Sequence, residues 1–334
     1  MSNPVLVEVV RGGIVESRHR GAVAVVDDAG RAVLALGDVE RPVYPRSAVK
    51  ALQALPLIES GAADRFRLGD HEIALACASH AGAPEHVASA VSMLAKAGQG
   101  PQVLECGAHW PNGPQEMRAL AASGASPTAL HNNCSGKHSG FVCVACALGT
   151  DPRGYVRADH PVQREVRSVL EQMTGQAIDP QDCGTDGCSI PTYAIAPVAL
   201  ARAFARFGTG KGLEPRRARA AGRIRRAVAA HPRMVSGDGR FDTVVMSRLG
   251  ERLFCKIGAE GMYCAALPQQ GLGVAIKIED GTARAAEAAM GAVALRFLAL
   301  SAGEREALAP VFQPQLRNWN GIRVGEIRAV LDGR

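Results

Sequence analysis

The sequence predicts an α/β protein in which both ends of the chain contribute strands to one mainly antiparallel sheet. Strand-like segments lie over about 4–37 and again over about 253–280. Each region contains a hairpin pattern, and a hairpin pairs its two strands antiparallel. The region between them, mainly over about 84–230, has the apolar spacing of helices. We therefore expect a sheet that is covered by helices.

Local patterns support the individual elements. "VLVEVV" and "AVAVVDDAGRAVLALG", near the start, are rich in β-branched residues and predict strands. After Pro45 the apolar spacing predicts a helix. The apolar run "IALACAS" predicts a strand that ends in a loop at Ser79. "RLFCKIGAEGMYCAALP" and "GLGVAIKIED" predict the C-terminal hairpin, and an Ala-rich helix is expected over 282–300.

The length of 334 residues permits about two domains. However, neither a repeat nor a low-complexity linker interrupts the chain. The Gly- and Pro-rich patch at 208–215 is the best linker candidate, and we interpret it as a loop. We therefore expect residues 1–334 to form a single catalytic domain.

Composition argues against several protein classes. The first residues, "MSNPVLVEVVRGG", lack the apolar core of a signal peptide. The longest apolar run, 141–148, is much shorter than the roughly 18 residues of a membrane span. The nine cysteines are scattered without the spacing of a disulfide framework. We expect a cytoplasmic protein with free thiols and no membrane partner.

The net charge of +6 raises the question of a nucleic-acid partner. Ten arginines lie between Arg202 and Arg240, several of them in "RRARAAGRIRR". This stretch has the pattern of an amphipathic helix with a solvated face, which we favour over a binding patch. Because no aromatic residues interleave there to stack on bases, we expect no nucleic-acid partner.

Lysine is scarce in this chain, with only six among the 38 Lys and Arg residues. Arginine stays protonated in proteins, whereas a desolvated lysine can act as a base. In "YPRSAVK", Ser47 and Lys50 are three residues apart and would share one face of a helix. The amine could then activate the hydroxyl as a nucleophile. Spacing alone leaves a solvated surface lysine as an equal alternative.

A second lysine, Lys256 in "KIGAEG", follows an apolar strand pattern and precedes a glycine by one residue. This arrangement is similar to the Lys-Thr-Gly strand of penicillin-recognising enzymes. A lysine on an edge strand that points to water is the alternative. Ser79, taken alone, is more typical of a structural serine.

Two cysteine-containing stretches, "HNNCSGKHSG" and "DGCS", could form a zinc site, although their spacing alone favours free structural thiols. Cys134 and Cys188 would supply two thiolates, and either His138 or Lys137 could be the third ligand. From spacing and chemistry, His138 is the better choice because a lysine amine is an unusual ligand. The first stretch lacks the first glycine of a phosphate loop, where His131 stands instead, so we exclude nucleotide binding.

Several short motifs, none of them specific alone, together resemble one known family. Between about residues 16 and 280 the chain resembles the class 3, or rhizobial-type, L-asparaginases, which are structurally similar to serine β-lactamases and glutaminases. The resemblance implies a three-layer αβα fold of the β-lactamase/glutaminase-like kind. The motifs that carry it are "ESRHRG", "YPRSAVK", "ACASHAGAPEH", "CGAHWP", "HNNCSGKHSG", "DGCSIPTYAIA", "HPRMVSGDGRFDT" and "KIGAEGMYCAALP".

The resemblance also implies a role for particular residues, and it favours Lys137 over His138 as the third zinc ligand. Partial burial, a zinc ion and nearby cations are then expected to lower the pKa values of the site lysines below the free value of about 10.4. The implied residues are Ser47 with Lys50 and Ser79 with Lys256 for catalysis; Cys134, Lys137 and Cys188 for zinc; and Arg46, His138 and Asp186 for the substrate.

The resulting expectation is an L-asparaginase that releases ammonia from L-asparagine through a Ser-Lys acyl-enzyme, with Zn²⁺ organising the pocket. The resemblance also implies a homodimer. Two alternatives stay open. One is another Ser-Lys amidohydrolase, either a glutaminase or a β-lactam-handling enzyme. The other is a non-catalytic regulator that binds zinc or an amino acid.

Overall fold

The structure is a computed structural model that describes residues 3–331. Strands and helices are numbered along the chain. The strands are β1 (Val5–Arg11), β2 (Ile14–Asp27), β3 (Ala32–Leu36), β4 (Cys183–Thr185), β5 (Pro191–Tyr193), β6 (Phe254–Ile257), β7 (Met262–Leu267), β8 (Leu272–Ile278), β9 (Gln315–Arg317) and β10 (Arg323–Ala329). The α-helices are α1 (Lys50–Gln53), α2 (Leu55–Glu59), α3 (Ala62–Arg65), α4 (Asp70–Ala76), α5 (Pro84–Lys96), α6 (Pro114–Ala122), α7 (Ser135–Leu148), α8 (Pro161–Thr174), α9 (Pro197–Thr209), α10 (Pro215–Ala230), α11 (Arg233–Ser236), α12 (Phe241–Leu249), α13 (Ala283–Phe297) and α14 (Ala302–Phe312).

The described residues form two compact units. The first unit contains 3–48, 195–209 and 255–331, and the second contains 49–194 and 210–254. The expectation of a single catalytic domain over 1–334 stays a prediction.

The first unit is built around a sheet with the strand order β6-β7-β8-β2-β1-β10-β9, and β3 pairs with β2 beside this path. From β7 to β9 along this order, neighbouring strands pair antiparallel, and so do β2 and β3. The long strand β2 joins the two halves, since its first part pairs with β1 and its second part pairs with β8 and β3. Gly21 lies at this change of partner, where a Cβ atom would overlap the carbonyl oxygen of Lys277.

Helices cover both faces of this sheet. Consecutive residues of β2 and β8, such as Val25 and Val26 or Ala275 and Ile276, are buried. Because consecutive side chains of a strand point to opposite faces, neither face is exposed there. Helices α9 and α13, which both pack on β7 and β8, supply the outer layers. The predicted α/β class, with a mainly antiparallel sheet from both ends of the chain, is confirmed.

The second unit is mainly helical and includes the two-stranded β4–β5 sheet. Its central helix is α7, which is buried from Ser135 through Ala145 and contacts α4 and α5. Gly136 and Gly140 face α4, and a Cβ atom on Gly136 would overlap the backbone of Leu75. These small residues let α7 approach α4 closely, so that the start of α7 meets the end of α4.

Two elements differ from the sequence interpretation. The run 73–79 is not a strand, because α4 ends at Ala76 and Ser79 follows a helix. A short apolar run does not distinguish a buried strand from a buried helix, and the Glu72 carboxylate, which accepts the Gly69 N–H, supports the helical start. The sheet also includes β9 and β10, which the sequence interpretation did not place.

Two other expectations can be compared with the structure. Within residues 3–331, no helix has the length and hydropathy that crossing a membrane requires. All nine cysteines lie in this range, and all are free.

Candidate active site

Ser47 lies in a short 3₁₀ helix, Arg46–Val49, in a tight turn of the first unit. The Ala48 N–H donates to the Pro45 carbonyl oxygen at 3.1 Å, which closes the turn. Arg46 has a φ of 51°, a left-handed conformation that is uncommon for a residue with a side chain. Backbone strain of this kind concentrates at functional sites.

The segment after Lys256 packs against the turn that carries Ser47. A Cβ atom on Gly258 would lie 2.7 Å from the Pro45 oxygen and 3.0 Å from the Ala48 nitrogen. Only glycine therefore fits at this approach. Lys256 is fully buried, and its Nζ donates to the Ile257 oxygen at 2.9 Å. The first unit thus brings the Ser47 turn and the end of β6 together.

Lys50, in the second unit, is 1% exposed and reaches three polar atoms. Its Nζ lies 2.5 Å from the Ala78 oxygen, 3.0 Å from the Ser79 Oγ and 3.1 Å from the Cys134 Sγ. The structure therefore pairs Lys50 with Ser79 and with the predicted metal ligand Cys134. These residues are 29 and 84 positions away in sequence.

Ser79 and the loop before α7 are held together by the backbone. The Ser79 N–H donates to the Val235 oxygen at 2.9 Å, and the His80 N–H donates to the Asn133 oxygen at 3.2 Å. The His80 ring adds a contact of 2.9 Å from Nε2 to the Ser135 Oγ. Sequence reasoning missed His80, although it directly follows Ser79 in "ACASHAG".

The three predicted zinc ligands lie together in the second unit. Cys134 precedes α7, Lys137 lies in its first turn, and Cys188 lies in the turn between β4 and β5. The Lys137 Nζ is buried and lies 3.0 Å from the Cys188 Sγ. Among the described residues, no group of three or more His, Cys, Asp or Glu side chains is arranged to hold a metal.

The charges in this cluster are unequal. The pKa of Cys134 lies well below its usual value, mainly because of its hydrogen bond with Cys188. Burial raises this pKa, but the positive charges of Lys137 and Lys50 lower it further. The same hydrogen bond, together with burial, raises the pKa of Cys188. Burial and the hydrogen bond between the two sulfur atoms therefore favour one thiolate and one thiol in the Cys134–Cys188 pair.

The expected lowering of the Lys137 pKa is wrong for the metal-free cluster. Burial lowers the pKa, but the negative charge on Cys134 and the other sulfur and carboxylate groups outweigh burial, so that the pKa is raised. Opposite charges within a few ångströms favour the charged form of both partners.

The donor atoms fit zinc by type. Two sulfur atoms and one amine nitrogen converge, and thiolate sulfur is the ligand that zinc prefers in structural sites. Ligands must lose their protons to bind a metal, so the cysteine pair and Lys137 would each release one. Zinc binding stays a prediction.

The predicted substrate residues occupy different environments. His138 is buried in α7, with Nδ1 2.6 Å from the Tyr155 hydroxyl. Asp186 is half-buried in the β4–β5 turn, where its Oδ1 accepts the Gly187 N–H at 2.6 Å. Its charge acts on Lys137 and Cys188. Arg46 lies in the first unit, next to Ser47. Their roles toward a substrate stay predictions.

Comparison with solved structures gives distant likenesses. The native form of a protein called Mglu is 14% identical over 86% of this chain and 66% of that chain, with a TM-score of 0.46, so this chain spans about two thirds of the length of Mglu. A β-lactamase from Mycobacterium bovis is 14% identical over 83% of this chain and 94% of that chain, with a TM-score of 0.39. Likeness at this level does not establish a shared site.

Comparison of the sequence gives a clearer result. No curated protein matches the chain. Residues 7–329, nearly the whole chain, match the model of the family described as L-asparaginase II. The motif residues around Ser47, Cys134 and Cys188 all lie within the matched range. This protein therefore belongs to the L-asparaginase II family of amidohydrolases.

Proposed function

We propose that this protein hydrolyses L-asparagine to L-aspartate and ammonia through an acyl-enzyme on Ser47. Membership of the L-asparaginase II family supports amide hydrolysis. The observation that carries the mechanism is the buried Lys50, which lies three residues after Ser47 and 3.0 Å from the hydroxyl of Ser79. A desolvated lysine beside a serine hydroxyl is the arrangement that activates a serine nucleophile.

To act as the base in this mechanism, Lys50 must present an unprotonated amine, because an ammonium has three N–H groups and no lone pair. That protonation state is part of the proposal.

In the proposed reaction, Ser47 Oγ attacks the side-chain amide carbon while Lys50 takes its proton. The C–N bond then breaks, and the departing nitrogen receives a proton from the Ser79–Lys256 pair and leaves as ammonia. Water attacks the resulting ester and gives a proton to the Ser79–Lys256 pair, while Lys50 returns its proton to Ser47 as L-aspartate forms. Positioned acids and bases of this kind typically contribute about 10²- to 10⁴-fold to rate.

An amino-acid substrate carries an α-carboxylate and an α-ammonium, and the predicted substrate residues include one cation and one anion. We assign Arg46 to the α-carboxylate and Asp186 to the α-ammonium, with His138 as a further polar contact. Cys134, Lys137 and Cys188 would hold Zn²⁺, whose charge two thiolates already neutralise. When bound, the ion supplies a rigid anchor between α7 and the β4–β5 turn and is a weak Lewis acid.

A substrate panel tests the proposal. Ammonia release is measured with L-asparagine and L-glutamine, and ring opening is measured with a penicillin. Hydrolysis of L-asparagine with the highest kcat/KM supports the proposal, and preference for another substrate supports a glutaminase or β-lactam-handling enzyme. Stabilisation by L-asparagine without ammonia release supports a non-catalytic regulator.

Mass spectrometry of the quenched enzyme tests which serine carries the acyl group. Ser47→Ala should abolish the covalent adduct, whereas Ser79→Ala should slow its formation without moving it. Ser92→Ala, a change at a half-buried serine in the middle of α5, is the matched control and should react normally. An adduct on Ser79 would reverse the two roles.

We also propose that the enzyme is a homodimer in the cytoplasm, as the resemblance to class 3 asparaginases implies. Light scattering during gel filtration measures the mass in solution, and cell fractionation measures the location. A monomer at micromolar concentration would contradict the first assignment.

A further inference from the structure

Tyr155 and His138 form a buried pair in the second unit. The Tyr155 hydroxyl lies 2.6 Å from His138 Nδ1, and the two rings meet edge to face at 5.3 Å. Both side chains are fully buried. On the other side of the ring, His138 Nε2 is buried and has no hydrogen-bond partner among the described residues.

The backbone decides how the tyrosine proton is used. The Glu105 N–H points at the Tyr155 oxygen at 2.9 Å, and an amide N–H can only donate. Within residues 3–331, the one remaining partner of this hydroxyl is His138 Nδ1. The tyrosine O–H therefore donates to Nδ1, which must carry a lone pair, and the proton of the neutral imidazole lies on Nε2.

The opposite assignment is costly. With the proton on Nδ1, the tyrosine oxygen would accept twice and its own proton would be buried without an acceptor. A buried donor without a partner costs about 1–3 kcal/mol. Burial also raises the pKa of Tyr155, so the phenol keeps its proton.

Other contacts hold the tyrosine still. The Gln163 Nε2 donates to the Tyr155 backbone oxygen at 2.9 Å. The Gly154 N–H donates to the Glu105 carboxylate at 2.7 Å, which ties the two segments around the hydroxyl together. These two hydrogen bonds restrain the backbone at Tyr155 and at Glu105, and so hold the tyrosine hydroxyl in place beside His138.

We propose that Tyr155 is a positioning residue that locks His138 in the Nε2–H tautomer, so that His138 presents a hydrogen-bond donor to an acceptor oxygen of the substrate. The acceptor is a carboxylate or an amide carbonyl, never the ammonium or the amide NH₂ group. The identity of this acceptor rests on the proposed function, whereas the tautomer does not. The assignment also argues against His138 as a zinc ligand through Nε2, which would need a lone pair on that atom.

The tautomer is measured directly by ¹⁵N NMR of protein with labelled histidine. We expect His138 to show a protonated Nε2 and an unprotonated Nδ1, with or without added Zn²⁺. His86 is an internal reference, because its Nδ1 accepts the Ala83 N–H and its Nε2 lies 3.1 Å from the Arg233 oxygen. A His138 signal with the proton on Nδ1 would overturn the proposal.

Tyr155→Phe should remove the lock. We expect a second tautomer to appear for His138 and not for His86, and kcat/KM to fall about tenfold, which corresponds to one hydrogen bond. Tyr193→Phe is the matched control, since Tyr193 is buried and its hydroxyl has no partner among the described residues. It should change neither the spectrum nor kcat/KM.

A double-mutant comparison separates positioning from a general loss of structure. The side chain in His138→Gln still has an N–H donor, but it has no alternative tautomers for Tyr155 to select. Tyr155→Phe in this background should therefore lower kcat/KM less than twofold. If Tyr155→Phe still lowered kcat/KM tenfold in the His138→Gln background, Tyr155 would not act through His138. If no amide substrate is turned over, the proposed function fails, but the NMR result still decides the tautomer.

Discussion

Gly258→Ala is the change for which the structure gives the clearest expectation. The added Cβ would lie 2.7 Å from the Pro45 oxygen, where ordinary contact begins at 3.4 Å, so the backbone must move by about 0.7 Å. The atoms that would be displaced belong to the turn that carries Ser47. Misplacing a reacting group by about 1 Å can cost on the order of 100-fold in rate.

We therefore expect kcat/KM for L-asparagine to fall by about 10- to 100-fold. Overpacking of this kind typically costs about 1–3 kcal/mol of stability, so the protein should still fold. Ammonia release gives the rate, and urea denaturation gives the free energy of unfolding. The loss should appear mainly in kcat, since the turn presents the nucleophile.

The matched control is Gly303→Ala. Gly303 lies in α14 of the same unit, and a Cβ atom there would meet nothing within 4 Å. This change should leave kcat/KM unaltered and raise stability by about 0.5 kcal/mol through helix propensity. If Gly258→Ala kept the wild-type kcat/KM, the approach of β6 to the turn would not set the position of Ser47.

Four further outcomes are expected. Ser47→Ala should abolish ammonia release with little change in stability, and retained turnover would move the nucleophile elsewhere. Lys50→Arg should lower kcat by at least about 100-fold, because arginine cannot accept the serine proton; activity near wild type would remove Lys50 as the base. Metal analysis should find about one Zn²⁺ per chain, and Cys188→Ser should lose it. Removal of the zinc should raise KM more than it lowers kcat. A loss of kcat with an unchanged KM would contradict an organising role for the metal. Burial lowers the pKa values of His80 and His86 below 6.5, so the unfolded chain binds more protons below about pH 6.5. The free energy of unfolding should then decrease on acidification, by up to about 1.4 kcal/mol per pH unit for each histidine, and equal stability in urea at pH 7.5 and 5.5 would refute this.

The sequence identified candidate chemical groups but not which of them are in contact. Residue type limits what a side chain can do, so a serine, a few lysines and two cysteines in short motifs suggested acyl transfer and a metal, and both stay predictions. Spacing along one helix suggested Ser47 as the partner of Lys50. The structure adds contacts of Lys50 with Ser79 and Cys134, which are set by the packing of α4 against α7.

Local sequence patterns were sufficient to predict sheet strands at both ends of the chain, but they did not identify every helix correctly. Alternation and hairpin turns are short-range signals, and they identified strands at both ends of the chain. The run 73–79 is apolar on all sides because α4 is surrounded by other helices, and this removes the periodicity that separates helix from strand.

The sequence by itself determined the fold class, the family and most of the chemical groups of the candidate site, since these depend on residue type and on order along the chain. Only the tertiary structure decided which polar atoms surround Lys50, why position 258 must be glycine, and on which nitrogen His138 holds its proton. Each of these depends on atoms brought together from distant segments, such as Glu105, Tyr155 and His138. Burial removes the water that would otherwise satisfy such groups, so their partners in the fold determine their state.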